Sequence, residues 1–168
     1  MKVLSLFDGM SCGQIALDQL GIPVETYYAS EIDKYAIQVT QANYPNTIQV
    51  GDVTKLDPKN FADVDLIFFG SPCQGFSFAG KQLAFDDPRS ALFFEAIRLL
   101  KAIKPKYFLA ENVPGILSLG NGKVVKVIDK EFSCIGMDKG HPGYDVKRVT
   151  VIASRYGVPQ NRKRVLWL

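Results

Sequence analysis

Short apolar runs alternate with stretches of helical periodicity along this chain of 168 residues, and this alternation restricts the possible folds more than any other feature. The segments with strand character are 2–7, 26–30, 47–50, 65–69, 107–110, 148–154 and 164–168. The segments with helical spacing are 14–20, 33–44, 90–103 and 123–134. Strands and helices that alternate in this way form parallel strand pairs joined by helical crossovers. The sequence therefore predicts an α/β fold with a doubly wound, mainly parallel sheet and helices on both faces.

Composition limits the class of protein. The hydrophobic content of 47% and charged content of 22% are typical of a soluble globular protein. Cys12, Cys73 and Cys134 are an odd number at wide spacing, so they predict no disulfide framework, and the single histidine, His141, leaves no zinc set. We expect Cys12 and Cys134 to be packing residues, and we expect no metal. The first apolar run is too short for a signal peptide or membrane span, which predicts an intracellular protein.

Charge is distributed unevenly along the chain. Residues 1–122 contain 10 Lys or Arg against 13 Asp or Glu, a balance of −3, whereas residues 123–168 contain 10 against 4, a balance of +6. A basic concentration of this kind is typical of a protein with a polyanionic partner, although a solvated basic face has the same composition.

Polar residues follow the first three predicted strands. The turn from Gly9 to Gly13 lies between the first strand and a helix, which is the context in which a glycine turn binds a nucleotide-like ligand. Glu31 follows the second strand, at the spacing where such folds bind a ribose diol. Asp52 follows the third strand, where a carboxylate could accept from an adenine amino group. Because parallel strands end at one edge of a sheet, these residues predict a nucleoside site there.

A cysteine follows the fourth strand. Cys73 lies in Gly70-Ser71-Pro72-Cys73-Gln74-Gly75-Phe76-Ser77, directly after the apolar run 65–69. A turn of Gly and Pro at the carboxyl end of a strand would hold the thiol at the mouth of the crevice, as a nucleophile requires. A buried, inert cysteine is the alternative. The next strand, 107–110, ends in Glu111 and Asn112, and Asn112 could serve only to fix the turn there.

With these motifs in view, the chain resembles the cytosine-5 DNA methyltransferases over nearly its whole length, in the order of the family. The segment Ser5-Leu6-Phe7-Asp8-Gly9 resembles the cofactor loop of the animal de novo methyltransferases, and Pro72-Cys73-Gln74 resembles the nucleophile motif. Glu111-Asn112-Val113 resembles the base-recognition motif, and Gln160-Asn161-Arg162-Lys163-Arg164 resembles the Gln-x-Arg-x-Arg motif. The resemblance implies a Rossmann-like methyltransferase domain over residues 1–168.

The resemblance also implies a cofactor, S-adenosyl-L-methionine, and its binding residues. These are Phe7, Asp8, Gly9, Ser11, Gly13, Glu31, Ile32, Asp52, Val53, Ser71, Pro72 and Leu92. It implies that Cys73 adds to carbon 6 of a cytosine flipped out of double-stranded DNA, while Glu111 holds nitrogen 3. Arg164 would bind the base oxygen, and Arg162 would hold the Cys73 loop or the phosphates.

Alternatives follow from the same resemblance. One branch of the family acts on transfer RNA, so an RNA cytosine-5 methyltransferase is a second hypothesis, and a catalytically silent subunit that retains the fold is a third. In the family a target-recognition region and further motifs follow the last motif named above, whereas this chain ends at Leu168. We therefore expect a catalytic domain that is incomplete at its C-terminus, with a second polypeptide as a possible source of that region. The resemblance implies a cytoplasmic bacterial or phage-like protein of a restriction-modification system.

Overall fold

The computed structural model describes residues 1–72, 88–136 and 143–168, and it describes residues 88–90 by their backbone alone. Its strands are β1 (Lys2–Leu6), β2 (Thr26–Ser30), β3 (Ile48–Gln49), β4 (Leu66–Phe69), β5 (Tyr107–Asn112), β6 (Arg148–Ile152) and β7 (Lys163–Trp167). Its helices are α1 (Cys12–Gln19), α2 (Lys34–Asn43), α3 (Pro88–Ile103) and α4 (Lys123–Ser133). Cys73 and His141 lie outside the described residues.

The strands form one sheet in the order β3-β2-β1-β4-β5-β7-β6. Strand β1 pairs in parallel with β2 and β4, and β2 pairs in parallel with β3. Strand β7 is antiparallel to both β5 and β6. The prediction of a doubly wound, mainly parallel sheet is confirmed. The reversal of direction at β7 was not predicted.

The chain divides into two compact units, Met1–Gly70 with Arg98–Leu109, and Ser71–Ile97 with Ala110–Leu168. In the first unit, buried residues of α1, β1, β2 and β4 form a core made of Val3, Leu17, Tyr27, Ala29 and Leu66. Strand β1 is buried from Val3 to Leu6, as expected for a central parallel strand covered on both faces.

The second unit is built around aromatic side chains. The ring centroid of Phe132 on α4 lies 5.9 Å from that of Phe93 on α3 and 5.9 Å from that of Trp167 on β7. Trp167 is 1% exposed, and its indole N–H donates to Asp129 on α4 at 2.8 Å. A buried indole needs such a partner, so this bond orients Trp167 and ties α4 to β7.

Several boundaries agree with the sequence and two expectations were wrong. Asp33, the first residue of the predicted helical segment 33–44, caps α2 by accepting from the N–H groups of Tyr35 and Ala36. Strand β5 extends two residues beyond the predicted 107–110, so Glu111 and Asn112 lie within the strand, because both are paired with β7. Cys12, the first residue of α1, and Cys134, which follows the last residue of α4, are both exposed, so they are not packing residues. No helix in the described part of the chain is long and apolar enough to cross a membrane.

Candidate active site

The loop that follows β1 has an unusual backbone. Phe7, Gly9 and Ser11 have φ values of +57°, +59° and +58°. Side-chain-bearing residues rarely adopt this left-handed conformation, and where they do the surrounding structure must compensate its cost. Nothing lies within 4 Å of where a Cβ at Gly9 would stand, so Gly9 is required by its backbone angle rather than by crowding.

A carboxylate inside this loop forms hydrogen bonds that offset part of the cost of the left-handed backbone. Asp8 accepts hydrogen bonds from the Ser11 hydroxyl and from the Tyr27 hydroxyl, the latter at 2.9 Å. Burial and the neighbouring Asp8 carboxylate raise the pKa of Tyr27 well above its ordinary value. The phenol therefore stays protonated and donates to Asp8. Tyr27 was predicted only as a strand residue, because its partner lies 19 residues away in sequence.

Glu31 connects the end of β2 to the same loop. One carboxylate oxygen accepts from the Gly9 N–H at 2.8 Å, and the other accepts from the Ile32 and Asp33 N–H groups at 2.7 and 2.9 Å. Thr40, fully buried on α2, donates its hydroxyl to the Gly9 carbonyl at 3.3 Å. The predicted neighbours Gly9 and Glu31 are thus brought into direct contact.

Asp52 lies beyond the end of β3 and caps a short 3-10 turn, Val53–Lys55. One of its oxygens accepts from the N–H and the hydroxyl of Thr54, each at 2.9 Å, and these bonds hold the pKa of Asp52 below its usual value. Next to it, the Gly51 carbonyl accepts from the Ser30 hydroxyl at 2.7 Å. The ends of β1, β2 and β3 therefore meet at one edge of the sheet, as parallel strands require.

Two residues predicted in this region have packing roles. Val53 is 4% exposed, and its carbonyl accepts from the Arg98 guanidinium at 3.3 Å. A Cβ at Gly13 would stand 2.7 Å from the Phe68 ring and 3.1 Å from the Tyr27 hydroxyl, so the absence of a side chain lets α1 pack against the sheet. Ile32 is 77% exposed beside Glu31, which leaves an apolar surface open there.

The second unit joins two motifs that are about fifty positions apart. The Arg164 Nε of β7 lies 2.6 Å from a Glu111 carboxylate oxygen on β5, with the two side chains 21% and 34% exposed. Glu111 is opposite Leu166 in the antiparallel register, so Arg164 is its diagonal neighbour on the same face. The two polar groups converge and remain partly accessible, as a site for a polar ring requires.

The remaining predicted residues lie in different environments. Ser71 is buried, and its carbonyl accepts from the side-chain amide of Asn112 at 3.2 Å. Pro72 is exposed, Leu92 is half-buried on α3, and Arg162 is exposed just before β7. Among residues 1–72, 88–136 and 143–168, no group of three or more His, Cys, Asp or Glu side chains could hold a metal ion.

A cleft of about 530 Å³ lies elsewhere in the first unit, at the opposite end of β2. Its lining includes Asp18, Glu25, Thr26 and Asn46, and none of the predicted cofactor residues. In parallel α/β sheets ligands bind at the carboxyl ends of the strands. The loop after β1, Glu31 and Asp52, rather than this cleft, is therefore the candidate site.

The chain is similar to known proteins along nearly its whole length. The family model of C-5 cytosine-specific DNA methylase matches residues 1–168. The chain is 38% identical to Type II methyltransferase M.NgoBV of Neisseria gonorrhoeae over 98% of its length and 40% of that protein. It is 38% identical to Orphan methyltransferase M.Rho11sI of Bacillus phage rho11s over 98% of its length and 32% of that protein.

A solved structure shares the fold. The S. pombe Dnmt2 methyltransferase superposes with a TM-score of 0.79 at 24% identity, over 99% of this chain and 50% of that one. The chain spans about a third to two fifths of the length of the two curated relatives. A match of the family model to the whole chain, supported by these relatives, leads to one conclusion: the chain belongs to the family of C-5 cytosine-specific DNA methylases.

Proposed function

We propose that this chain carries the catalytic part of an enzyme that methylates carbon 5 of cytosine in DNA, with S-adenosyl-L-methionine as methyl donor. The observation that supports the proposal most is the ion pair between Glu111 and Arg164 at 2.6 Å. These residues come from two separate motifs of the family. They present a carboxylate and a guanidinium side by side, as recognition of the polar edge of cytosine needs.

The residues of the first unit suit the cofactor by their chemistry. A ribose diol needs an acceptor, and Glu31 offers its carboxylate at the end of β2. An adenine amino group also needs an acceptor, and the Asp52 oxygen not used by Thr54 is suitable. The exposed Ile32 offers an apolar surface to the purine. When bound, S-adenosyl-L-methionine would supply a methyl group on a sulfonium, which is electrophilic.

The reaction needs a nucleophile because carbon 5 of cytosine is a poor attacker by itself. Cys73, which lies outside the described residues, would add its thiolate to carbon 6 and make carbon 5 nucleophilic. Glu111, carrying a proton, would donate it to nitrogen 3 as the thiolate adds and take it back when the thiolate leaves, and Arg164 would bind the base oxygen. Once carbon 5 carries the methyl group, a base would remove its proton and the thiolate would leave carbon 6, which restores the aromatic ring and regenerates Cys73. Arg162, exposed beside β7, would contact a phosphate or the Cys73 segment.

Access to carbon 6 determines the form of the substrate. In a stacked duplex that atom is covered, so the cytosine must leave the helix at a cost of roughly a few kcal/mol. We therefore propose double-stranded DNA with one flipped base as the partner of the second unit.

A trapping experiment tests the proposal. With S-adenosyl-L-methionine present, methyl transfer to 5-fluorocytosine leaves fluorine in place of the carbon 5 proton, which blocks the final elimination, so the covalent product accumulates. We expect a denaturation-resistant adduct with duplex DNA for the unaltered chain and for the control Cys134→Ala, and none for Cys73→Ala. An equivalent RNA tests the RNA hypothesis in parallel. The incubation is repeated with a polypeptide that carries the remaining part of a longer relative.

Each outcome has a defined meaning. An adduct that persists in Cys73→Ala contradicts the assignment of the nucleophile. An adduct with RNA but not DNA contradicts the substrate. No adduct with either polymer, even with the added polypeptide, supports the catalytically silent alternative.

A further inference from the structure

Asn112 on β5 makes two hydrogen bonds that together use both ends of its side-chain amide. Its nitrogen donates to the Ser71 carbonyl at 3.2 Å, and its oxygen accepts from the Val113 N–H at 2.8 Å. Asn112 is 5% exposed and Ser71 is 6% exposed, so water does not compete effectively for these bonds. Since a buried polar group without a partner is costly, these bonds hold both backbone segments in place.

The position of Asn112 in β5 relates it to the base-binding pair. Successive residues of a strand point to opposite faces of the sheet. Glu111 therefore points to the face where it meets Arg164, while Asn112 points to the buried face and reaches Ser71. Two consecutive residues of one strand thus carry the acid for the base and an anchor for the segment that leads to Cys73.

We propose that Asn112 is a positioning residue for the nucleophile, a role that rests on the proposed function. Ser71 precedes Cys73 by two residues, and two residues span at most about 7 Å of extended chain. Pro72 between them has a fixed φ, which removes one of the few free rotations. Anchoring the Ser71 carbonyl to β5 therefore fixes the backbone two residues before Cys73 relative to Glu111, which lies on the same strand as Asn112.

The chemistry of the two bonds explains why asparagine stands here. The site needs one donor, for Ser71, and one acceptor, for Val113, from a single short side chain. An ionised aspartate keeps the acceptor but loses the donor. It also places a negative charge beside the Ser71 carbonyl oxygen. When that carboxyl is protonated, its O–H can donate again.

This property defines the test, which uses Asn112→Asp, Asn112→Ala and the control Asn43→Asp. Asn43 on α2 also donates its amide to a backbone carbonyl, that of Val39 at 2.8 Å, but it is remote in sequence from the proposed machinery. Amide hydrogen exchange of the peptide 66–74 is expressed as protection factors, which remove the intrinsic effect of pH. We expect at least about tenfold lower protection at pH 8 in both Asn112 variants, because each loses the buried hydrogen bond to Ser71 and Asn112→Ala also loses the one from Val113, and no change in the control.

The pH dependence separates anchoring from general destabilisation. Burial raises the pKa of an introduced carboxyl, so at pH 5 Asn112→Asp should recover most of the protection while Asn112→Ala should not. Relative to the unaltered chain at the same pH, adduct formation on 5-fluorocytosine DNA should slow by at least the same factor in both variants at pH 8 and recover at pH 5 only in Asn112→Asp. Intact folding of each variant is checked by its cooperative thermal transition.

The outcomes separate this proposal from the proposed function. Unchanged protection of 66–74 in a folded Asn112→Ala overturns the anchoring role, whatever the activity. Lower protection without recovery at pH 5 in Asn112→Asp also overturns it, since the donor would not then be the cause. Absence of an adduct in the unaltered chain concerns the proposed function alone, because hydrogen exchange still tests the anchor.

Discussion

Glu31 illustrates how much one side chain does at the end of a strand. It accepts three backbone N–H groups, one of them from the left-handed Gly9, while remaining only half-buried. A carboxylate that accepts hydrogen bonds from the loop is already oriented before a ligand arrives, so binding would lose little conformational entropy from this side chain. The same residue therefore stabilises the loop and has the chemistry to bind a ribose diol. Its substitution would weaken both the loop conformation and the binding of such a ligand.

Gly13 allows a test of packing at the scale of one residue. In Gly13→Ala the new methyl group would stand 2.7 Å from the Phe68 ring, closer than real contacts allow. We expect a loss of about 1–3 kcal/mol in the free energy of unfolding, as for overpacked cores, measured by urea denaturation. The control Gly115→Ala meets nothing within 4 Å, and we expect a change of less than about 1 kcal/mol there. Equal stability of the two variants would contradict the close packing of α1.

At the scale of elements, Asp65 ties together the starts of three strands. Its carboxylate accepts from the Lys2 N–H of β1 at 2.9 Å and from the Lys106 ammonium at 2.6 Å. Its carbonyl accepts from the Tyr107 N–H of β5 at 3.0 Å, and Asp65 itself precedes β4. One acidic residue thus sets the relative heights of β1, β4 and β5 at the edge opposite the candidate site.

This arrangement predicts a pH dependence of stability. The hydrogen bond from Lys106 and then that from the Lys2 N–H hold the pKa of Asp65 below its usual value. A carboxyl whose pKa is lowered on folding stabilises the protein above the unfolded pKa, about 3.9, and this contribution is lost as the pH falls through the folded pKa. Asp65→Asn should therefore unfold at lower urea than the unaltered chain at pH 7, and the difference should shrink toward about pH 3. A difference independent of pH would contradict the assignment.

At the scale of the whole molecule, positive charge is concentrated in the last quarter of the sequence. The segment 123–168 carries a balance of +6 against −3 for the segment 1–122. Exposed basic residues at and around β6 and β7 include Lys147, Arg148, Arg155, Arg162 and Lys163. A basic region is expected to hold phosphates, and contacts of this kind position a protein on DNA without reading its sequence.

We expect the DNA binding of the chain to be sensitive to salt for this reason. Replacing Arg155 and Lys163 together by Gln should reduce the slope of log affinity against log salt concentration by up to about 0.9 for each phosphate contact that is lost. The control replaces Lys34 and Lys55, exposed in the acidic segment, and should leave the slope unchanged. Fluorescence anisotropy with a labelled duplex at several salt concentrations measures both. Equal slopes for the two variants would contradict a phosphate role of the basic segment.

The sequence by itself determined the features that depend on neighbouring residues. Periodicity predicted the order of strands and helices, because a strand or helix buries one face at a fixed local spacing. Asp33 was recognisable as a cap because it satisfies N–H groups two and three residues ahead. The residues that end β1, β2 and β3 could be assigned to one edge, because parallel strands all end on the same side.

Tertiary structure decided what depends on residues that are distant in the chain. The extension of β5 through Asn112 is due to pairing with β7, more than fifty positions later, and no local pattern contains that partner. The same pairing brings Arg164 to Glu111, and the fold brings Tyr27 to Asp8 and Asn112 to Ser71. Each of these side chains gains a specific partner only when the sheet has formed, because the energy of a buried polar contact depends on which groups meet and not on their spacing in sequence.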